Sequence, residues 1–599
     1  MFAQYELELW QSGKWRGLLN TINLFAFEAQ LRQNGDSQPQ LLLRPTGMGC
    51  SCLIRLLRHE NRFHEAEYTE VIQLCGNYAA GEKKSDEISL AACEMAEFFY
   101  GLHWENCYQF GSFYGVFANL AACLNVLYSL AEKSLDWIRD LWRKWVAEYL
   151  KKDHHKSRAA EKLIEWTLQN PSASLIDNLG QEMCALAEVY WVQKPIENPV
   201  WSDDSLHRER LYGLSQNADD YHFRSPKSNL FLWALFRRDL IRGLTWTVDL
   251  VNKAVESFSR ESPSEVVSVT LWFADTNTSR TYLGNAHLWL TGIEETSVPL
   301  LLGDMIYLLR CAVLEQLEAS YKKSPEDFIE VAKILREYLF MNSNNIALLT
   351  IVEAIGMHFI QALPGYALDL STGMELLHWD ALRYSKYLKN PVHTQLEQLI
   401  YMSVGMPFLE PRYPLDPICG IPLQSYVAQS YFQQGPAREK YEAILDYMYK
   451  KTPDNREHAS DYLQIQKMDL RGATEISLGD GAVAFSPRLT GEAEKLVREN
   501  ERSELPVRHM ESSVARYAKT VSMGSPDLDA AIKAIDEILN QMEKNPLRFQ
   551  YQQTLITVVA SALTNPALSM EKREELCLLL EKLVGFFLTT LIWVKYPLQ

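Results

Sequence analysis

The sequence predicts an all-α protein: a helical-repeat (TPR/HEAT-like) solenoid with a small β-hairpin insertion near residues 265–290. Three observations lead there. Apolar residues recur at steps of three and four through most of the 599 residues, the spacing that lines up one face of a helix. The breaks between these runs are short and polar, as antiparallel helices need if they are to bury their stripes on one another. One stretch departs from this texture. Val266–Phe273 is β-branched and aromatic, Asp275–Ser279 is turn-like, and Thr281–Leu290 ends in His287-Leu-Trp-Leu290, which reads as a hairpin.

Taken in order, helices are expected over about 5–33, 39–58, 63–80, 86–103, 108–131, 134–152, 157–169 and 173–193. Leu56–Ala66 has the small loop, aromatic and alanine of a tetratricopeptide turn, although no strict 34-residue period follows. Pro195–Ser225, with two prolines and two Asp-Asp pairs, is a domain boundary. A long helix is expected over Asn229–Phe258, with Trp233, Phe236, Leu240, Leu244, Val248, Val251, Val255 and Phe258 on one side. After the hairpin, a buried helix starts near Pro299 with the stripe Leu302, Ile306, Leu309, Val313 and Leu317. Ser324-Pro-Glu-Asp327 is a helix start: a serine cap, proline in the first turn, and acids at the positive end of the dipole. Pro407–Pro422 carries five prolines and predicts an irregular crossover. Leu478-Gly-Asp-Gly481 is a turn signal in a polar loop or a second short hairpin. Four regions result: 1–200 N-terminal repeats, 201–405 with the hairpin, 406–488 irregular, and 489–599 helical.

The order FLWALFRRDLIRGLTWTVDLVNKAVESF, a hairpin ending GNAHLWLTGIEETSV, LLLGDMIYLLRCAVLEQLE, then NNIALLTIVEAIGMHFI and ALDLSTGMELLHWDALRY resembles the helical C-terminal region of STAND-type NTPases of the bacterial antiviral (Avs) kind. The resemblance spans roughly residues 210–400 and is one of texture, without a catalytic signature. It implies a sensor region that binds a phage protein such as a terminase or portal component. In that family the sensor follows an effector and a P-loop ATPase, neither evident in this sequence, and oligomerisation would belong to the full-length protein. The alternative is a free-standing helical scaffold that assembles other proteins.

Composition narrows the function classes. A net charge of −17 and a pI near 5.4 disfavour nucleic acid and anionic membranes as partners. The most apolar run, Leu583–Val594, falls short of the roughly 20 residues a membrane span needs. Ten scattered cysteines without a CxxC pair predict neither a zinc site nor a disulfide framework, and a reducing cytoplasm is the expected setting. Fifteen tryptophans and 29 tyrosines predict bulky interhelical packing.

Near-miss motifs point away from an enzyme. Gly76-Asn-Tyr-Ala-Ala-Gly81-Glu-Lys-Lys-Ser85 places Glu82 where a Walker A loop needs lysine, and predicts an interhelical turn. His59 and His64 are five residues apart, rotated by roughly 140° on a helix, where a zinc-protease helix needs four. In Gly111-Ser-Phe-Tyr-Gly115 the serine is one place early for a nucleophile elbow. Asp153-His154-His155 is at most an incidental metal contact, and Glu294-Glu295 predict a solvated loop rather than the acid pair of an α/α-barrel hydrolase. No catalytic residue, metal ligand or cofactor is therefore expected. His287 and Trp289, taken as the protruding end of the hairpin, are the candidate partner-binding residues; the competing expectation is that they seal the hairpin onto the helix at Trp233.

Overall fold

The computed structural model describes residues 65–81, 84–106, 113–151, 154–192, 208–218, 230–292, 298–384, 421–479 and 482–499, with isolated positions from 533 to 581. The described residues are mainly helical, with two small antiparallel hairpins. Among them, no helix is long and apolar enough to cross a membrane. The chain forms two compact units: Met1–Val266 with Thr291–Leu348, and Val267–Leu290 with Leu349–Gln599.

The first unit opens with six helices: α1 Glu65–Ala80, α2 Asp86–Asn106, α3 Phe113–Ser129, α4 Leu135–Leu150, α5 His154–Gln169 and α6 Ala173–Trp191. They fall on the expected periodic runs, and α1 packs on α2, α2 on α3, α4 on α5 and α5 on α6. Aromatic side chains fill the joints. Tyr128 on α3 accepts from the Trp142 indole of α4 at 3.0 Å and meets Thr167 of α5 at 2.8 Å. Trp145 donates to Tyr100 of α2 at 2.9 Å. The polar tips of Tyr128, Trp142 and Trp145 thus each find a partner, as burial of an indole or phenol favours.

After a short turn, α7 Arg208–Leu211, the expected Asn229–Phe258 helix is two helices, α8 Leu230–Arg238 and α9 Leu240–Glu261. The break lies at Asp239 (φ −140°, ψ 73°), whose carboxylate caps α9 by accepting from Arg242 N at 3.1 Å. A residue expected on the solvent side of a continuous helix starts a new one instead. The bend lets α9 pass close to neighbours: a Cβ on Gly243 would lie 2.5 Å from the Phe236 ring, and one on Gly180 of α6 would lie 2.3 Å from the Arg242 guanidinium.

The helix following the hairpin begins at Pro299 as expected. Ahead of it stands a short helical turn, α10 Ala286–Trp289; then come α11 Leu300–Lys323 and α12 Pro325–Asn342. Leu302, Ile306, Leu309, Val313 and Leu317 are all buried. Ser324 caps α12 by accepting from Asp327 N, with Pro325 in its first turn. Beyond α12, Asn252 of α9 grips the Asn342–Asn345 turn. It donates to Asn342 O at 2.7 Å, while its own carbonyl accepts from Asn344 N and from the Asn345 amide at 3.0 Å.

The second unit is built around the first hairpin. Strand β1 Val267–Phe273 pairs with β2 Thr278–Gly284, joined by a tight turn in which Asn277 takes the left-handed conformation (φ 50°). Val269, Leu271 and Tyr282 face inward, whereas Thr270 and Thr281 pair outside, oxygen to oxygen, at 3.0 Å. The remaining described helices are α13 Leu349–His358, α14 over residues 374–384, α15 Leu423–Gln429, α16 Pro436–Lys451 and α17 Ala459–Met468. Thr474–Gly479 and Ala482–Ser486 then form β3 and β4, so the glycine signal at 478–481 marks a hairpin. Residues 491–499 are helical. The expected elements at 5–58, the Leu56–Ala66 turn up to residue 64, most of the Pro195–Ser225 boundary, the prolines of 407–420 and the Leu583–Val594 run lie outside the described residues.

Candidate functional site

The two residues expected to protrude do not share a fate. Asn285 accepts from Leu288 N at 2.8 Å and so caps α10, the turn that carries both His287 and Trp289. The hairpin ends at Gly284, and its tip is the opposite end, residues 274–277. His287 is exposed. Trp289 is fully buried and its indole N–H has no hydrogen-bond partner. Expecting a strand through Leu290 overlooked an asparagine that prefers to cap a helix.

Polar chemistry gathers elsewhere in the second unit, in two clusters. In the first, Arg383 of α14 donates to both carboxylate oxygens of Glu353 on α13, each at 2.8 Å. Asp380, one turn before Arg383, approaches the same guanidinium at 2.5 Å as an ion pair without hydrogen-bond alignment, and accepts from Leu423 N of α15 at 2.5 Å. All three side chains are at most 4% exposed. One buried cation therefore joins two carboxylates and three helices. A guanidinium does not give up its proton, and both acids are turned towards it. The cluster is thus a clasp rather than an acid–base pair. Its signal in the sequence is Glu353, a lone acid inside the apolar run of α13.

In the second cluster, Lys440 of α16 bridges Asp275 of the hairpin tip at 2.6 Å and the buried Asp369 at 2.8 Å. Two turns further along the same face of α16, Tyr447 stacks on Trp272 of β1 with centroids 4.4 Å apart and planes within 6°. Thr372 accepts from Trp272 N at 2.8 Å, and Gly373 leaves room for Leu271 and Val269, which a Cβ there would meet at 2.8 and 3.1 Å. The hairpin is held by charge, stacking and backbone at once. No periodicity argument connects Asp275 with Lys440, because they are 165 residues apart in sequence.

The near-miss motifs resolve into ordinary packing where they are described. Gly76–Ala80 are the last turn of α1. The Tyr78 hydroxyl accepts from Ser85 N at 2.8 Å and donates to Ser85 O at 3.1 Å, tying the following turn shut. Phe113–Gly115 begin α3, and His154 and His155 begin α5. His59, His64, Asp153, Glu294 and Glu295 lie outside the described residues. Among the described residues no group of three His, Cys, Asp or Glu side chains has a metal-holding arrangement. Burial pushes the Cys93 thiol up to about 11 and those of Cys123 and Cys184 up to about 12, so all three are protonated at neutral pH.

No protein-family model matches the sequence, and no curated protein matches it.

Proposed function

We propose that this chain is a protein-recognition module, the sensor region of a STAND-type antiviral protein that reads a phage protein through a solenoid-like helical-repeat surface. The observation that carries the reading is the division of labour among side chains. The buried charges described above hold elements together, whereas apolar side chains are left on outer helical surfaces. Sixteen large apolar residues are exposed among the described residues, and four of them sit on α12 alone. Such a surface gains free energy when a partner covers it, in proportion to the apolar area removed from water. The resemblance over residues 210–400 supplies the phage protein as the class of partner. Target binding would then favour one state of the attached ATPase through differential affinity.

The test is co-purification with individually expressed phage structural and packaging proteins, resolved by size-exclusion chromatography with light scattering. A stable complex with one of them is expected. A folded chain that captures none overturns the sensor reading and leaves the scaffold.

A further inference from the structure

Helix α12 carries two apolar faces, one buried and one exposed. Phe328, Ala332, Leu335 and Leu339 are buried, and α12 packs on α11. Val331, Ile334 and Met341 are 45%, 59% and 66% exposed, and half-buried Tyr338 stands between the last two. The spacing 331-334-338-341 is three, four, three. At about 100° per residue these four side chains fall within an arc of roughly 80°. That is the a/d seam of a coiled coil, continuous with the buried face and exposed along three of its four side chains.

The charges beside the seam identify what fits it. Glu330 and Glu337 occupy the flanking position one residue before each a residue, and Asp327 extends the seam at its amino end; all three are exposed. Lys333 and Arg336 lie on the far side of the helix. The geometry points to α12 as a docking helix for an amphipathic helix of another protein, one whose apolar seam is flanked by Lys or Arg.

A second copy of this chain does not meet the need. In an antiparallel pair the glutamates would face each other, and in a parallel pair they would face Leu335 and Asn342; neither offers a cation. The net charge of −17 adds repulsion between copies and attraction to a basic partner. The inference rests on the reading of the chain as a recognition module but not on a phage origin of the partner.

The experiment titrates the full chain into labelled synthetic helices, read by fluorescence anisotropy. One probe carries Leu at a and d with Lys at e and g; a second has Glu in place of Lys; a third scrambles the first so that no apolar seam remains. The Lys probe is expected to bind at least about tenfold more tightly than the Glu probe, the scale of two or three exposed ion pairs. It should also bind more tightly than the scrambled probe. The double variant Ile334→Asp with Met341→Asp should lose about tenfold or more, because it places two carboxylates in the seam. Both positions are exposed, so the variant should keep the wild-type circular dichroism.

Equal binding of the Lys and Glu probes, or of the scrambled probe, overturns the proposal. So does unchanged affinity in a folded double variant, or a dimer in light scattering that the double variant abolishes. If a phage protein is captured equally by wild type and double variant, the docking helix is wrong and the sensor reading stands. If the probes discriminate and no phage protein is captured, the reverse holds.

Discussion

Arg383 answers to two carboxylates at once, and its removal takes that cation from Glu353 and Asp380, both buried. Uncompensated buried charge is among the costliest defects a fold can carry. Arg383→Ala is expected to destabilise the protein by about 3–5 kcal/mol, read as a lowered denaturant midpoint. Asp469 makes a different, pH-linked contribution. Burial pushes its carboxyl up, but hydrogen bonds from the Arg471 guanidinium and backbone outweigh this and leave it below the ordinary value. The folded state therefore favours the ionised form. Its contribution is complete above the unfolded carboxyl value of about 4 and is lost as pH falls through the lower folded value. The gap in denaturant midpoint between wild type and Asp469→Asn should be widest near neutrality and close progressively below about pH 4. A gap that stays constant to pH 2 would show that the Arg471 contact contributes nothing through charge.

Helices announce themselves in this sequence more clearly than their ends do. The Ser324-Pro325 start and the Pro299 start were legible because proline and serine act locally, through φ and through one side-chain acceptor. Asp239 and Asn285 are also caps, yet neither stood out. Asp239 sits between apolar residues whose period runs on through it, and Asn285 follows a strand whose alternation masks it. What decides at Asp239 is tertiary: α9 must clear Phe236 and α6. Two glycines measure that clearance. Gly243→Ala drives a methyl into a buried ring and should cost about 1–3 kcal/mol despite alanine's better helix propensity. Gly180→Ala meets only the movable tip of Arg242 and should stay within about 0.5 kcal/mol. Thermal unfolding of the two variants side by side checks the contrast; equal losses would mean that Phe236 yields as readily as Arg242. The Arg383 and Lys440 clusters were hidden for another reason, since each joins residues distant in sequence and no local pattern encodes the meeting.

The chain enters the second unit at Val267, leaves it after Leu290, and returns for good at Leu349. A single cut therefore cannot separate the units cleanly. A fragment of residues 349–599 lacks β1, so Gly373 has no Leu271 or Val269 to cover it, Tyr447 has no Trp272, and Lys440 loses Asp275. That fragment is expected to lack a cooperative thermal transition, and joining residues 267–290 to it through a flexible linker should restore one. A cooperative transition without the hairpin would show that its three kinds of contact are dispensable.

The attachment of the hairpin to α16 sets a schedule for synthesis. Asp275 leaves the ribosome 165 residues before Lys440, a delay of roughly ten to thirty seconds at ordinary elongation rates. Throughout that interval the hairpin has a finished backbone ladder and no Lys440 or Tyr447 to hold it. An idle two-stranded edge invites foreign strands. Thr278, Ser279, Arg280 and Thr281 line the strand that is left waiting, and their polar side chains make it a poor template for a passing apolar segment. The unremarkable polar run that opens β2 thus has a task in the nascent chain, to keep the hairpin unclaimed until the helix that holds it has been made.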